Sequence, residues 1–591
     1  MIMCAITLVD ARALFAPYLL ALIFALFCLN KDLHLTYDRR SKSHLLTVLA
    51  SAVAGVFISL ANHALWMAPN VPDDLRTPLF VRLCKLLILL IIMSGAFCCA
   101  YCIMVYVVYD ECALKFDKKE TPKRPYLYFL VPFAVIASIY LIIYFSCYYP
   151  GLLSLDSIDQ IDQLFTGKYS NHQPFYHTML VGLFIRCALT FTSNMNMAVA
   201  FYIIFQIVFM ATTFAFVVYN TALLSLPKWT QVLFTVWYAI MPFHIMYSFT
   251  LWKDVYFGAF VTLFIVFFIR LMTGIGKGAF NYIGFTLCGP VICLIRSNGM
   301  FAYIFVFLAV LILLRKQRKL LVIMGATLVA CFILKHSVLG AVGVTPPDTV
   351  ESLSIPLQQV ARVIVEDGNM DSADMELIGQ IIDIDALRAE YDSDISDPVK
   401  NLIRDYGNQA YLTQHLNDFA LLYLRTFVHN PAKYITSWVD STCGYWNSGY
   451  NYWVWYWDIE DNPFGIERSV ASPLMLHIMD GYLWLYYNNR VLQNVLAVGL
   501  FVWMLFILTI KAISEKNVTA FVSMVPILAI WLSLLISSPV YAEFRYMYAL
   551  FCALPVLIAI ACNAGPASSG NTHTADGADL YNGRGTDEDN M

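Results

Sequence analysis

Charged residues are scarce in this sequence of 591 residues: they make up 13% of the chain, whereas hydrophobic residues make up 60%. A water-soluble globule of this size does not need so much apolar surface, so the composition indicates a multi-pass membrane protein. The formal net charge is -4, which gives no general basic field and excludes nucleic acid as an expected partner.

Several organising patterns are also missing. Cys443 is the single cysteine of the polar region after residue 342, so no disulfide framework is expected there. The first 20 residues lack a basic segment and a small-residue cleavage site, so we interpret them as a retained span and not as a signal peptide. The sequence has no repeat of fixed period and no pair of matching broken helices, which inverted-repeat transporters would favour.

What the sequence does contain is a long series of apolar windows that could cross about 30 Å of hydrocarbon. They lie near residues 13–30, 44–66, 84–109, 126–147, 196–219, 230–249, 255–273, 281–295, 299–314, 319–341, 491–512, 517–538 and 546–563. A shorter run at 177–191 contains Arg186 and could be either a span or an interfacial helix.

Basic connectors resolve that ambiguity, because Lys and Arg collect on the cytoplasmic side. The connectors are DRRSK at Arg39 and Arg40, KFDKKETPKR from Lys115 to Arg124, and RKQRK from Arg315 to Lys319. All three lie inside only if 177–191 does not cross the membrane. We therefore predict an all-α polytopic membrane protein of about 13 transmembrane helices, with its N-terminus outside and its C-terminus inside.

The predicted domain organisation follows from these spans. An N-terminal three-helix membrane extension covers 1–110, and a transmembrane core covers 126–341, with a first outer loop at 148–195. Residues 342–490 are too long for a connector and contain helix-like polar segments, so they predict a mainly helical extracytoplasmic domain. Residues 491–563 hold the C-terminal transmembrane helices, and the polar, acidic tail 564–591 is expected to be disordered in the cytoplasm.

The first outer loop supplies a candidate acid in the sequence YYPGLLSLDSIDQ. Ser157 and Gln160 match a capping box, which predicts a short helix from just after Asp156 to about Phe165. Asp156 would lie beside Tyr149 at the lipid edge, where a carboxylate is costly to keep without a function.

Two histidines follow in GKYSNHQPFYHTM. His172 and His177 could bind a metal ion or carry a proton, although their spacing matches no strong metal motif. Hydrogen bonding within the loop is the alternative for both. His172 is the better functional candidate because Pro174 holds the chain extended just after it.

Further charged residues lie in outward-facing hairpins at helix ends. They are Lys253 and Asp254 in TLWKDVYF, Arg296 and Asn298 in LIRSNGMF, and Glu543 and Arg545 in YAEFRYMY. Outward arginines oppose the usual charge bias, and a phosphate or anionic headgroup is the natural partner of a guanidinium group.

Structural roles remain open for several of these residues. Lys253 could extend its amine to the interface while Asp254 caps the next helix. Arg545 could simply pair with Glu543. The aromatic run CGYWNSGYNYWVWYW, from Cys443 to Trp457, is explained either by an interfacial belt or by stacking on sugar rings.

Taken together, these motifs resemble the GT-C class of membrane glycosyltransferases. In that class an acidic residue in the first large outer loop precedes interfacial helices, and a second acidic site follows in a later outer hairpin. Asp156 and Asp254 match those two positions. More closely, YPGLLSLDSIDQ, YSNHQPFYHT, LWKD, LIRSNG, ESLSIPLQQVARV, SDPVK and EFRY together look like an uncharacterised bacterial family of multi-pass proteins placed near that class.

The resemblance implies an inverting transfer of a sugar from a polyprenyl-phosphate donor to a glycan, lipid or protein acceptor on the extracytoplasmic face of a bacterial plasma membrane. Asp156 would be the general base, and Arg296, Arg545 and Lys253 would hold the leaving phosphate. Asp254 would help to bind the acceptor or a divalent metal such as Mg²⁺ or Mn²⁺. Metal use differs within the class, so a metal held by Asp156, Asp254 and His172 is left open.

Two other classes of function compete with this hypothesis. A transporter or flippase of a lipid-linked anionic substrate would also need many spans and outward arginines, but few ionisable residues lie at mid-span here. A non-catalytic subunit of a surface-polysaccharide machine would tolerate substitution of its acidic residues.

Overall fold

The computed structural model describes residues 42–61, 100–101, 124–224, 226–447, 450 and 454–562. Within these residues the regular structure is entirely helical, and only isolated β-bridges occur between extended segments. The predicted all-α class is therefore confirmed for the described part of the chain. The window at 13–30, the window at 84–109 apart from residues 100 and 101, and the tail at 564–591 lie outside the described residues.

The helices of the first half are mostly long and apolar. They are α1 (Lys42–Ala61), α2 (Leu127–Ile143), α3 (Leu155–Thr166), α4 (Phe175–Leu189), α5 (Met195–Leu223), α6 (Lys228–Ile240), α7 (Pro242–Phe249), α8 (Lys253–Thr273), α9 (Gly278–Ile295), α10 (Ser297–Leu313), α11 (Arg318–Ile333) and α12 (Leu339–Val342). π-Helical turns extend α2 to Tyr148 and join α11 to α12.

Short helices follow between residues 349 and 442. They are α13 (Thr349–Ser352), α14 (Ser354–Val365), α15 (Ser372–Gly379), α16 (Ile384–Glu390), α17 (Asp397–Asn401), α18 (Gln409–Gln414), α19 (Leu416–His429) and α20 (Pro431–Thr442). Their buried apolar side chains, between Val350 and Tyr434, form a core of their own. This segment contains most of the predicted helical domain at 342–490.

Longer helices return at the end of the described chain. They are α21 (Pro473–Asn488), α22 (Arg490–Val495), α23 (Val498–Ser514), α24 (Val518–Ser537) and α25 (Tyr548–Cys562). Their buried residues share one large core with the helices of the first half, and this core also takes in side chains from Val439 to Tyr486. The predicted domain boundaries stay a prediction, because the second core ends well before residue 490.

Eight segments of the described residues are long and apolar enough to cross a membrane. They are Leu127–Tyr148, Met195–Leu223, Lys253–Thr273, Gly278–Ile295, Arg318–Val342, Arg490–Ser514, Val518–Ser537 and Phe544–Cys562. A ninth forms if α6 and α7, which are bent by 51° at Met241, count as one broken span. Apolar helices at Leu45–Phe57, Phe175–Leu189 and Ser297–Leu313 are shorter.

Helix α4 covers the run at 177–191, which the sequence predicts not to cross the membrane. It has 15 residues, and a helix of that length spans only about 22 Å at 1.5 Å per residue. This is less than the roughly 30 Å of a hydrocarbon core. Its buried face packs on α3 and α5, so α4 supports the short polar helix that carries Asp156.

Candidate functional site

A cavity of about 510 Å³ opens where several membrane helices end. It lies beside the first residues of α8 and α10, the last residues of α24, and the turn that precedes α25. Short helices α13 and α17 also contribute lining residues. Its charged lining residues are Asp156, Lys253, Arg296, Glu351, Asp397, Lys400, Glu543 and Arg545.

Most of the sequence-predicted site residues meet at this cavity. The ones that line it are Asp156, His172, Lys253, Arg296, Asn298, Glu543 and Arg545. Asp254 does not line the cavity; it is 1% exposed and forms an ion pair with Arg296. Tyr149 is not among the lining residues; its ring packs near Tyr144, with ring centroids 6.1 Å apart.

Helix α3 begins earlier than the sequence predicts. Ser154 is the N-cap, and Ser157 completes a capping box with it, so the predicted box of Ser157 and Gln160 is wrong. Gln160 instead turns inwards, where its amide donates to Thr178 and its carbonyl oxygen contacts His177. Asp156 therefore lies in the first turn of α3, where a carboxylate interacts favourably with the helix dipole.

The start of α3 is tied directly to the segment that carries Lys253. The hydroxyl of Ser157 donates to the carbonyl of Leu251 at 2.8 Å, and the indole of Trp252 donates to the hydroxyl of Ser154 at 2.9 Å. Asp156 and Lys253 are distant in sequence, but these bonds hold their backbones beside each other.

Gln206, in the middle of α5, binds the backbone of the segment that precedes Lys253. Its amide nitrogen contacts the carbonyl oxygens of Tyr247, Ser248 and Thr250 at 3.2, 3.1 and 2.8 Å. These carbonyls lie at the buried C-terminal end of α7, where backbone oxygens need donors, and those of Tyr247 and Thr250 also accept from the backbone N–H groups of Thr250 and Trp252. The only signal for this role in the sequence is a glutamine within an apolar span.

Lys253 differs from the other lining cations because no carboxylate of the described residues lies within ion-pair distance of it. Its ammonium group donates to the side-chain oxygen of Gln173 at 2.5 Å. Gln173 is itself 3% exposed, so it is a fixed neutral partner. The amine thus faces the cavity with its charge uncompensated by direct contact.

Arg296 occupies an extended break between α9 and α10. Its guanidinium group forms a buried ion pair with Asp254 and lies 4.5 Å from the centre of the Tyr546 ring. A side chain at Gly299 would collide with the carbonyl of Ile292, which explains how the RSNG sequence allows α10 to start so close to α9. The predicted cap role of Asp254 is replaced by this ion pair.

Arg545 is shared between two carboxylates. One of its terminal nitrogens lies 3.1 Å from Asp156, and its Nε lies 3.2 Å from Glu543. The rings of Trp252 and Tyr546 each lie 5.3 Å from the guanidinium carbon. The pairing with Glu543 that the sequence left open is therefore present, and Asp156 is a second partner.

The environments of these two carboxylates shift their proton affinities in opposite directions. Burial raises the pKa of Glu543 to about 7, although the charge of Arg545 lowers it. Burial also raises the pKa of Asp156, but the charges of Lys253 and Arg545 outweigh that effect and hold it below its ordinary value. Asp156 is thus ionised at neutral pH, while Glu543 is near its midpoint.

We call Asp156, Lys253, Arg296, Glu543 and Arg545 the membrane-side wall. The short-helix wall consists of Glu351, Asp397 and Lys400. Lys400 contacts Asp397 at 2.6 Å and Glu351 at 3.2 Å. Burial raises the pKa of Glu351, but Lys400 and Arg404 lower it by more, so that the net shift is downwards.

The short-helix wall was missed as a site at the sequence level. Its residues lie in ESLSIPLQQVARV and SDPVK, two motifs that served only to establish the resemblance. These two motifs were quoted together with the loop motifs that contain the predicted site residues. That association was the one indication in the sequence that their polar residues could line the same cavity. Gln173, Trp252 and Tyr546 were also not singled out.

The two histidines have different surroundings. His172 is exposed and lines the cavity, whereas His177 is fully buried between Gln160 and Tyr202, 3.1 Å from each. Burial, with the nearby charge of Lys253, lowers the pKa of His177 to about 3. Hydrogen bonding thus accounts for His177, but its partners belong to helices α3 and α5 and not to a loop.

The possible metal ligands are not assembled into one group. Among the residues that the structure describes, no cluster of three or more His, Cys, Asp or Glu side chains could hold a metal ion. The two aspartates proposed for this role are each paired with a different arginine.

The described residues of the aromatic run before residue 458 belong mainly to the large core. Trp446 and Trp455 are each 1% exposed, and Tyr445 is fully buried, with its hydroxyl donating to the carbonyl of Val540. Neither a lipid-facing belt nor sugar stacking accounts for these three side chains. Trp457 is 46% exposed and stays available for either role.

The chemistry available at the cavity is anion binding beside an ionised carboxylate. Guanidinium and ammonium groups bind phosphate oxygens strongly, particularly where they are held by aromatic rings and partial burial. Asp156, at the opening, is the only one of these carboxylates that is both substantially exposed and in contact with a membrane-side cation.

Comparison with known proteins adds a family but no activity. Neither the curated proteins nor the solved structures contain a match. Residues 166–574, more than two thirds of the chain, match a family described as "Family of unknown function (DUF6020)". This range includes every charged lining residue of the cavity except Asp156. The protein is accordingly a member of the DUF6020 family.

Proposed function

We propose that the protein is an integral membrane glycosyltransferase that moves a sugar from a polyprenyl-phosphate donor to an extracytoplasmic acceptor. The observation that carries this proposal is the meeting of Asp156 with Lys253, Arg296 and Arg545 in one cavity at the ends of membrane helices. A donor anchored in lipid needs a site at the membrane edge, and a phosphate leaving group needs cations there.

In the proposed reaction the acceptor hydroxyl attacks the anomeric carbon from the side opposite the phosphate. The new carbon–oxygen bond forms as the bond between sugar and phosphate breaks, so the anomeric configuration inverts. Asp156 accepts the proton of the hydroxyl group. Lys253, Arg296 and Arg545 neutralise the charge that develops on the departing phosphate.

An apolar groove offers a place for the lipid part of such a donor. It has a volume of about 290 Å³ and is lined only by apolar side chains of α10 and α11, including Met300 and Ile304. Ser297, which lines the charged cavity, lies on the same face of α10, because residues at spacings of 3 and 7 share one face of a helix. A phosphate in the cavity could therefore continue into a hydrocarbon chain in this groove.

The proposal includes the predicted topology of about thirteen spans, with the cavity on the extracytoplasmic face. A cysteine introduced at Lys168 should react with an impermeant thiol reagent added outside cells, and one at Gln317 should not. Cys187 is exposed, so both variants are best made with Cys187→Ser. The opposite labelling pattern would contradict the placement of the site.

The decisive experiment is the profile of surface and lipid-linked glycans in cells that lack the protein. We expect one sugar to disappear and to return with the wild-type gene, but not with Asp156→Asn at matched expression. Asp162→Asn is the matched control, because it removes the same charge from an exposed position of α3 outside the cavity.

Three results would overturn the proposal. An unchanged profile in the deletion strain would exclude a required transferase, and full rescue by Asp156→Asn would exclude the proposed base. Lipid scrambling by the purified protein in vesicles, retained in Asp156→Asn, would identify a flippase instead.

A further inference from the structure

Two carboxylates bind Arg545, and they differ in how easily they could leave it. The side chain of Glu543 is 6% exposed, whereas that of Asp156 is 36% exposed. A carboxylate that leaves its partner must be solvated elsewhere, and separating a buried pair is far more costly than separating an exposed one. Asp156 can reach water at the cavity opening, but Glu543 cannot.

The other membrane-side cations offer no comparable exchange. Arg296 is paired with Asp254, whose side chain is completely buried. Lys253 has only the neutral side chain of Gln173 as a direct partner, so no carboxylate has to leave it. Within the described residues, the contact between Asp156 and Arg545 is thus the exchangeable ion pair of the membrane-side wall.

We propose that Asp156 occupies the phosphate position on Arg545 before substrate binds and is displaced when the phosphate group of a substrate binds. This inference rests on the proposed function and adds a competition between the protein's own carboxylate and its ligand. Glu543 keeps Arg545 in place throughout the exchange. The ligand class is a phosphate ester, and the competing group is the residue proposed as the general base.

The exchange would make the proton affinity of the Asp156 carboxylate depend on whether the substrate phosphate is bound. While Arg545 contacts Asp156, its positive charge favours the ionised carboxylate and opposes proton uptake. A phosphate that takes over Arg545 adds a negative charge nearby and releases Asp156 from this contact. Asp156 then accepts a proton more readily, at the stage when donor phosphate is already bound.

Anion affinity of the purified full-length protein tests this competition. Binding of inorganic phosphate and of farnesyl phosphate should be measured separately by calorimetry, because the first tests the anion site alone and the second also tests the lipid part. We expect Asp156→Asn and Asp156→Ala to bind both probes about tenfold more tightly than the wild type, since the competing charged partner is gone.

The matched control is Asp162→Asn, which changes net charge by the same amount on the same helix. Its affinities should stay within about twofold of the wild type, because it faces solvent at a distance from the cavity. Equal tightening in this control would assign the effect to overall charge and overturn the inference. Unchanged or weaker binding in both Asp156 variants would overturn it as well.

Failure of the inference can be separated from failure of the proposed function. Unchanged phosphate affinity together with loss of the sugar in Asp156→Asn cells would remove the competition and retain the transferase. Tighter binding together with full rescue of the glycan profile would retain the competition and remove Asp156 as the proposed base. If tightening is seen with farnesyl phosphate but not with inorganic phosphate, Arg545 is not the point of exchange and the inference falls.

Discussion

The two charged walls of the cavity are built from the same kinds of side chain but balance their charges differently. In the short-helix wall, Lys400 is 2% exposed and contacts two carboxylates, and one of these, Glu351, also pairs with Arg404. In the membrane-side wall, Arg545 is shared, Arg296 has a single buried partner, and Lys253 has none in contact.

This difference in charge balance indicates that one wall has mainly a structural role and that the other can bind a ligand. A cation surrounded by carboxylates has little remaining attraction for an added anion, because its charge is already neutralised at short range. A cation with a neutral or exchangeable partner retains that attraction. The membrane-side wall is therefore expected to bind anions, and the short-helix wall to hold the helices between residues 349 and 442 to one another.

The largest expected effect is the loss of stability when the buried pair behind the membrane-side wall is broken. Arg296→Gln leaves the carboxylate of Asp254 without its partner, and we expect the free energy of unfolding to fall by about 3 to 5 kcal/mol. Thermal melting in detergent would measure this change. The double variant Arg296→Gln with Asp254→Asn removes both charges and should recover most of the loss; an equally unstable double variant would contradict the pairing.

The next largest effect concerns the cation that lacks a carboxylate partner. Lys253→Gln should reduce the affinity for inorganic phosphate about tenfold, because an uncompensated charge at the cavity is removed. Its melting temperature should change little. Lys168→Gln, in the exposed loop after α3, is the control and should leave the affinity unchanged; similar losses in both variants would show that only general charge matters.

The opposite pattern is expected in the short-helix wall. Lys400→Gln leaves two partly exposed carboxylates without one of their cations, so we expect the free energy of unfolding to fall by about 1 kcal/mol. Phosphate affinity should change by less than about twofold. A large loss of affinity with unchanged melting would reverse the distinction between the two walls.

The smallest expected effect is a pH dependence set by Glu543. With a pKa of about 7, this carboxyl group is mainly neutral at pH 6 and mainly ionised at pH 8. Its ionisation adds a negative charge beside Arg545, so we expect affinity for sulfate to be about threefold higher at pH 6 than at pH 8. Sulfate is a suitable probe because its own charge does not change in this interval.

Two variants isolate the source of that dependence. Glu543→Gln should bind sulfate with nearly equal affinity at both pH values. His172→Gln should retain the dependence, because it removes the exposed imidazole of the same cavity and leaves Glu543 in place. Loss of the dependence only in His172→Gln would assign it to the histidine.

The sequence predicted much of the membrane architecture and most of the site residues. Apolar windows from 126 onwards correspond to the long helices of the described chain, because the length of a hydrocarbon-crossing helix is a local property of sequence. The loop motifs supplied seven of the residues that line the cavity. The start of α3 was misplaced because Ser154 and Ser157 both suit an N-cap, and tertiary contacts with Leu251 and Trp252 select Ser154.

What the sequence by itself determined is the all-helical class, the positions of the apolar helices, and the grouping of charges at their ends. Only the tertiary structure decided which charges meet: Arg296 with Asp254, 42 residues apart, and Arg545 with Asp156, 389 residues apart. Apolar periodicity is encoded within each helix, whereas the choice of ion-pair partners depends on which helix ends pack together. The uncompensated charge of Lys253 and the sharing of Arg545 are consequences of that packing.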